Sequence, residues 1–258
     1  MDILNAALNA ACYLLLALYV IGILLLNPIA LTAILLHGAK KTHEESEKRY
    51  RESEFCRMTG ITWNQMTGNR GIRGEYEAYE TLKRFAADGA RFLFNLYIPS
   101  DNGGTTEIDL LMLTTRGIFV IESKNMAGEI SGSAHAHDWT QTLRRSSGEM
   151  LHNAFYSPIR QNAGHIHHLR RLVGERVPLY SLIVFSNLSK LHIDVPAGQA
   201  TVVRRCEAAS AVQLILQRAP RPLTPAAVDA LYQRLLPYTR ASSEVKRRHL
   251  ERLAAQAS

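Results

Sequence analysis

Cysteine is scarce in this chain. There are three in 258 residues, Cys12, Cys56 and Cys206, widely spaced and odd in number. No CxxC or HExxH spacing occurs, so the sequence defines neither a disulfide framework nor a spacing-defined zinc centre, and the usage suits a reducing compartment. Also missing are a phosphate-binding glycine loop and a nucleophile-elbow serine. Residues 68–75, GNRGIRGE, carry glycines but lack GK[ST] and do not follow a strand pattern. There is no internal repeat and no low-complexity tract, which sets aside solenoids and disordered arrays. Acidic charge is in the minority, 23 residues against 30 basic ones, for a net charge of +7 and a pI of about 9.4. That balance favours an anionic partner, either nucleic acid or an anionic membrane face.

Charge of either sign is absent from residues 3–39, densest in apolar residues over 10–26. About 20 apolar residues span a bilayer. Asp2 stands where a signal peptide carries positive charge, and the run is longer than an h-region, so residues 1–39 are expected to remain as a transmembrane anchor. Asn27-Pro28 either kinks one long helix or ends a first one, which leaves a single span and a re-entrant pair both open. Lys40, Lys41, Lys48, Arg49 and Arg51 follow the run, and the positive-inside tendency then places the remainder of the chain in the cytoplasm, tethered to the inner membrane by one pass. Residues 40–67 read as a charged juxtamembrane linker.

From about residue 68 the pattern becomes globular and extends to about 237, followed by a basic tail over 238–258 expected as a solvated or frayed helix. EYEAYETLKRF after Gly74 is helical, with Glu75, Tyr79 and Leu82 on one face. A first-turn glutamate is also what a helix dipole favours. Residues 91–98 alternate as a strand, residues 133–152 look irregular around Trp139, and Ser157-Pro158 opens a helix. Residues 179–185 and 200–204 read as further strands.

The chemistry concentrates in residues 107–125, EIDLLMLTTRGIFVIESKN. Two strand-length apolar runs are joined by Thr-Thr-Arg-Gly. A turn centred on Thr115 and Arg116 sets Asp109 directly opposite Glu122, with Cβ atoms roughly 4.5–5.5 Å apart. Two carboxylates that close repel, and apolar neighbours add a desolvation cost. A divalent cation relieves both, and hard oxygen ligands suit Mg²⁺, or Mn²⁺. Lys124, two residues beyond Glu122, shares its face. A metal with an adjacent lysine is what phosphodiester hydrolysis requires. The same register places Glu107 opposite Lys124, and an ion pair there would compete for the lysine.

Ten histidines invite a zinc reading, and His165 and His168 share a helix face, but without ligand spacing they are expected at the surface or as phosphate contacts. Arg144, Arg145, Arg160, Arg170 and Arg171 read either as a phosphate-binding surface or as solvated helix face.

Taken together, Gly74-Glu75 with its helix, GTTEIDLLMLTTRGIFVIESKN, Trp139-Thr140-Gln141, SPIRQNAGHIHHL and LYSLIVFSN resemble the NERD, or nuclease-related, domain. The resemblance covers roughly residues 68–220. It implies the PD-(D/E)xK nuclease superfamily and a restriction-endonuclease-like α/β core, a mixed central sheet flanked by helices. It further implies that Asp109 and Glu122 bind the catalytic Mg²⁺, with the Ser123 backbone carbonyl as a further ligand. Lys124 would position water and stabilise the phosphorane, Glu75 would support the metal, and Gln161 would orient substrate or water. Ser123 departs from the apolar residue usual between the acid and the lysine. The reading is a membrane-anchored, Mg²⁺-dependent nuclease acting on DNA, with homo-oligomerisation left open. The alternative is a non-catalytic nucleic-acid-binding or signalling module that keeps the fold.

Overall fold

The computed structural model describes residues 2–26, 28–101, 103–196 and 198–257. The chain divides into two compact units, Met1–Ser53 and Glu54–Ser258.

The first unit holds α1 (Asp2–Leu26) and α2 (Pro28–Arg51). Within α1, Ala6–Ile23 has a mean hydropathy of 2.1 and none of it is buried. Bare apolar surface of this length is costly in water, and its length and composition are those of a membrane span, shared by signal sequences. Asn27, where a kink or helix end is expected, lies outside the described residues. The second half of α2 is charged, and Lys40–Glu44 and Lys48–Glu52 stand 3.9 and 4.0 Å apart at i,i+4 spacing, which supports an exposed helix by a few tenths of a kcal/mol per pair.

The second unit begins with α3 (Glu54–Thr59), α4 (Trp63–Gly68) and α5 (Arg70–Leu82). Strands β1 (Arg91–Pro99), β2 (Thr105–Thr114), β3 (Gly117–Lys124), β4 (Gly128–Ser133), β5 (Asp138–Arg144) and β6 (Met150–Tyr156) follow, then α6 (Pro158–Val173), β7 (Leu179–Phe185), β8 (Ser189–Asp194) and β9 (Thr201–Arg204). Helices α7 (Arg205–Arg218), α8 (Pro225–Leu235) and α9 (Ser243–Ala257) complete it. The larger sheet has the order β1-β2-β3-β7-β9; its first three strands are antiparallel and β3-β7-β9 run parallel. The expected α/β architecture with a mixed central sheet is present, and a second mixed sheet, β6-β5-β4-β8, stands beside it.

Helices cover both faces of the larger sheet, which is why β2 and β3 read as near-continuous apolar runs. On one face Leu111, Leu113, Ile118 and Val120 pack with Leu169 and Val173 of α6 and Val228 and Leu235 of α8. On the other, Phe94 meets Phe55 of α3 and Tyr79 of α5 edge-on, each at 5.1 Å between ring centroids.

Residues 133–152 differ from the irregular segment expected. They contain β5 and the start of β6, joined by a turn in which the Gly148 N–H (φ 88°) donates to the Arg145 carbonyl at 2.9 Å. Strand β5 alternates buried Trp139 and Gln141 with Thr140 and Thr142. Trp139 stacks on Phe185 at 6.2 Å and is nearly inaccessible. Strand β6 is half-buried at best along its length, so it lacks the apolar alternation that marks strands in a sequence.

Candidate metal and phosphodiesterase site

The β2–β3 hairpin sets the site. Its register pairs Leu110 with Ile121, Leu111 with Val120 and Thr114 with Gly117, as the turn on Thr115-Arg116 requires. Gly117 has φ 132°, and a Cβ there would come within 2.5 Å of the Pro178 carbonyl, so glycine fixes the turn. The position beyond the last ladder pair carries Asp109 and Glu122, whose charges act on each other. Asp109 Oδ2 accepts a hydrogen bond from the Ser123 N–H at 3.0 Å, a contact that ties the acid of β2 to the end of β3. Opposite Asp109 on the far side, β1 is interrupted: residues to either side pair in register, while Asn95 takes φ 51°, a left-handed conformation asparagine tolerates better than most residues.

Glu122 is 2 % exposed. Its Oε1 lies 2.8 Å from Lys124 Nζ, and the same ammonium donates to Gln161 Oε1 at 2.9 Å. Lys124 therefore bridges β3 and α6. Glu107 does not take the lysine: its Oε1 accepts the Tyr97 hydroxyl at 2.6 Å, and the competing ion pair drawn from the register does not form. Gln161 is held by its helix. Ser157 caps α6, Pro158 occupies the first turn, and buried Asn162 donates to the Val120 carbonyl (2.8 Å) and to Ser181 Oγ (2.9 Å).

Glu75 enters on α5. The helix starts at Arg70, earlier than the glycines indicate, because Asn69 Oδ1 accepts from the Gly71 and Ile72 N–H groups at 2.9 and 3.2 Å. Glu75 thus lies in the second turn, and the helix-dipole explanation for it loses its force. Gly74 lets α5 approach β3: a Cβ there would sit 2.7 Å from Asn125 Cβ and 3.0 Å from Ser123 Oγ.

These placements have electrostatic consequences. Burial, reinforced by Glu107 and Glu122, pushes Glu75 up to about 8. Burial, Glu122 and Glu75 hold Asp109 well above the carboxylate range, against the Ser123 N–H and Lys124. Burial alone would raise Glu122, but Lys124 and His165 outweigh it and keep its carboxyl low. Burial opposes the charge on Lys124, and Glu122 and Asp109 more than restore it. At neutral pH the site thus holds an ionised Glu122–Lys124 pair beside a Glu75 carboxyl that keeps its proton, with the Asp109 carboxyl shifted in the same direction. Crowded carboxyls that cannot all ionise are what a divalent cation resolves. One further observation fits a cation: Glu122 Oε2 is buried without a hydrogen-bond partner. Among the described residues, the three carboxylates Glu75, Asp109 and Glu122 are not gathered within 4.8 Å as a set of ligand atoms; Asp101, His167 and His168 are.

That second group has another use. Asp101 also pairs with Arg171. The contacts of Asp101 with His167 (2.9 Å) and Arg171 fasten the loop after β1 to α6. Of the arginines read as a phosphate surface, Arg145 pairs with Glu149, Arg170 holds carbonyls at the end of α6, and Arg144 and Arg160 are exposed.

The group sequence reading missed is His165. Expected at the surface, it is 6 % exposed. Its Nδ1 lies 2.8 Å from Thr106 Oγ1 and its Nε2 3.3 Å from Glu122 Oε2. The signal was its spacing, four residues after Gln161 and so on the same helix face.

Residues 70–186 match the model of the NERD family, the nuclease-related domain. The chain is similar to an uncharacterized protein of Bacillus anthracis, 31 % identical over 116 residues, covering 45 % of this chain and 52 % of that protein. The chain therefore spans about half the length of that curated relative. No solved structure matches the chain. The matched residues 70–186 hold Glu75, Asp109, Glu122, Lys124, Gln161 and His165, and the nuclease-related domain whose model they match belongs to the PD-(D/E)xK-like nuclease superfamily.

Proposed function

We propose that the protein is a membrane-anchored, divalent-metal-dependent nuclease that hydrolyses DNA phosphodiester bonds, its domain facing the cytoplasm from the inner membrane. The observation that carries this reading is the bridging of Lys124 between Glu122 (2.8 Å) and Gln161 (2.9 Å), beside Asp109 at the open end of the hairpin. Asp109 and Glu122 would hold the Mg²⁺ or Mn²⁺ ion, with the Ser123 carbonyl, and Glu75 would support it. When bound, such an ion supplies an activated water and offsets charge on the phosphate.

The remaining roles belong to the chain. Lys124, kept protonated by Glu122 and Asp109, presents a fixed cation for charge developing on the attacked phosphate. Gln161 fixes the direction of that ammonium and offers its amide to water or substrate. The net charge of +7 draws the polyanion. The non-catalytic reading would have been favoured by a Glu107–Lys124 lock, and Glu107 is instead engaged by Tyr97.

The test is cleavage of plasmid and branched DNA by the full chain in detergent micelles with Mg²⁺ or Mn²⁺. Wild type should nick or cut, and Lys124→Ala should not. Equal behaviour of the two removes the catalytic reading.

A further inference from the structure

Two buried polar atoms face each other at the site with no hydrogen-bond partner. His165 Nε2 and Glu122 Oε2 are 3.3 Å apart, each inaccessible to solvent, and neither is aligned to bond the other. Buried polar atoms are nearly always satisfied, so an orphaned pair calls for a cause. The other ends of both groups are occupied. Glu122 Oε1 is held by Lys124, and His165 Nδ1 by Thr106 Oγ1 at 2.8 Å. In the tautomer whose Nδ1–H donates to Thr106, Nε2 presents a lone pair to the carboxylate, a meeting that a cation between them would relieve. A histidine that donates its far N–H to an oxygen while the near nitrogen points at a carboxylate has the arrangement of a metal ligand with its supporting shell.

Building on the metal-dependent reading, we infer that His165 Nε2 is a nitrogen ligand to the ion held by Glu122, and that the site is selective for a first-row transition ion such as Mn²⁺ over Mg²⁺. The separation agrees. Two donors each about 2.1 Å from one ion lie about 3.0 Å apart at right angles and about 3.4 Å apart in a tetrahedron, and the observed 3.3 Å falls between. Imidazole favours transition ions, whereas Mg²⁺ keeps oxygen ligands and water. Gln161, one helical turn before His165, then serves Lys124 while His165 serves the ion, so a single face of α6 supports both halves of the site.

The experiment uses the full chain in detergent with Mn²⁺ as the probe and reads pulsed electron paramagnetic resonance. The background variant His167→Ala/His168→Ala removes the exposed cluster around Asp101 as a rival site. The inference expects ¹⁴N coupling from a directly bound imidazole, loss of that coupling in His165→Gln, and Mn²⁺ binding at least about tenfold weaker in that variant with Mg²⁺ binding little changed. A spectrum without imidazole nitrogen, or one unchanged in His165→Gln, overturns it. If His165→Gln does not fold, the spectrum of the background protein decides by itself. Absence of DNA cleavage would defeat the nuclease reading and leave the nitrogen ligand standing; cleavage without the ¹⁴N signal would do the reverse.

Discussion

Lys124 Nζ lies 2.8 Å from Glu122 Oε1, two residues back on the same strand, and the carboxylate it meets is 2 % exposed. The ammonium keeps Glu122 ionised against burial. Removing one partner of a buried pair leaves an uncompensated charge. Lys124→Met is therefore expected to destabilise the domain by about 3 kcal/mol at pH 7 in metal-free buffer, read as a lower urea midpoint. Lys124→Met with Glu122→Gln should recover part of that loss, because both charges are gone. Full stability in the single variant would mean that the pair is not buried in solution.

Glu75 gives a pH dependence of defined sign. Its carboxyl titrates near 8 in the fold against 4.5 for the free side chain, so the folded state binds more protons between those values. The contribution of Glu75 is fully present below about pH 4.5 and is lost as pH rises through about 8. Glu75→Gln, which cannot ionise, should melt higher than wild type at pH 8.5 and about the same at pH 4.5, with EDTA present. Adding Mn²⁺ or Mg²⁺ to wild type at pH 7 should release protons, measurable by calorimetry in buffers of different ionisation enthalpy.

Gly74 is a packing requirement. Alanine there favours a helix by about 1 kcal/mol, but its Cβ would sit 2.7 Å from Asn125 Cβ, and pushing the helix back costs about 1–3 kcal/mol. Gly74→Ala should unfold at lower urea than wild type, and it should weaken metal binding because Glu75 moves with the helix. Gly68, where a Cβ meets nothing within 4 Å, serves as the comparison: Gly68→Ala should leave metal binding unchanged.

Asn162 anchors α6 to the sheet through the Val120 carbonyl and Ser181. Asn162→Ala leaves buried partners unpaired, at a cost of about 1–3 kcal/mol. Because Gln161 and His165 ride on the same helix, Mn²⁺ affinity should fall together with stability. A loss of stability with metal affinity intact would separate the anchor from the site.

The hairpin was legible because two strand-length apolar runs meet at a short turn, and the register set by a turn on Thr115 and Arg116 decides which acids oppose. Glu107 and Lys124 were less so, since a register names opposing positions and cannot show that Tyr97 holds Glu107. Strands β5 and β6 were hidden by their polar composition, which hydrophobic periodicity does not mark. His165 was obscured by its neighbours. Three histidines within four residues suggested a cluster, while the fold sends His165 to Glu122 and His167 to Asp101. The basic tail read as solvated forms α9, whose buried His249 bonds the Thr105 carbonyl at 2.9 Å and meets the Tyr97 ring edge-on, a docking that no local pattern announces.

A crystal soaked in Mn²⁺ tests the central claim most directly. The account predicts an anomalous peak between Asp109 and Glu122, within bonding distance of both carboxylates and with His165 Nε2 turned toward it. A map without a peak there at millimolar Mn²⁺, with Asp109 and Glu122 keeping their present contacts, would contradict it.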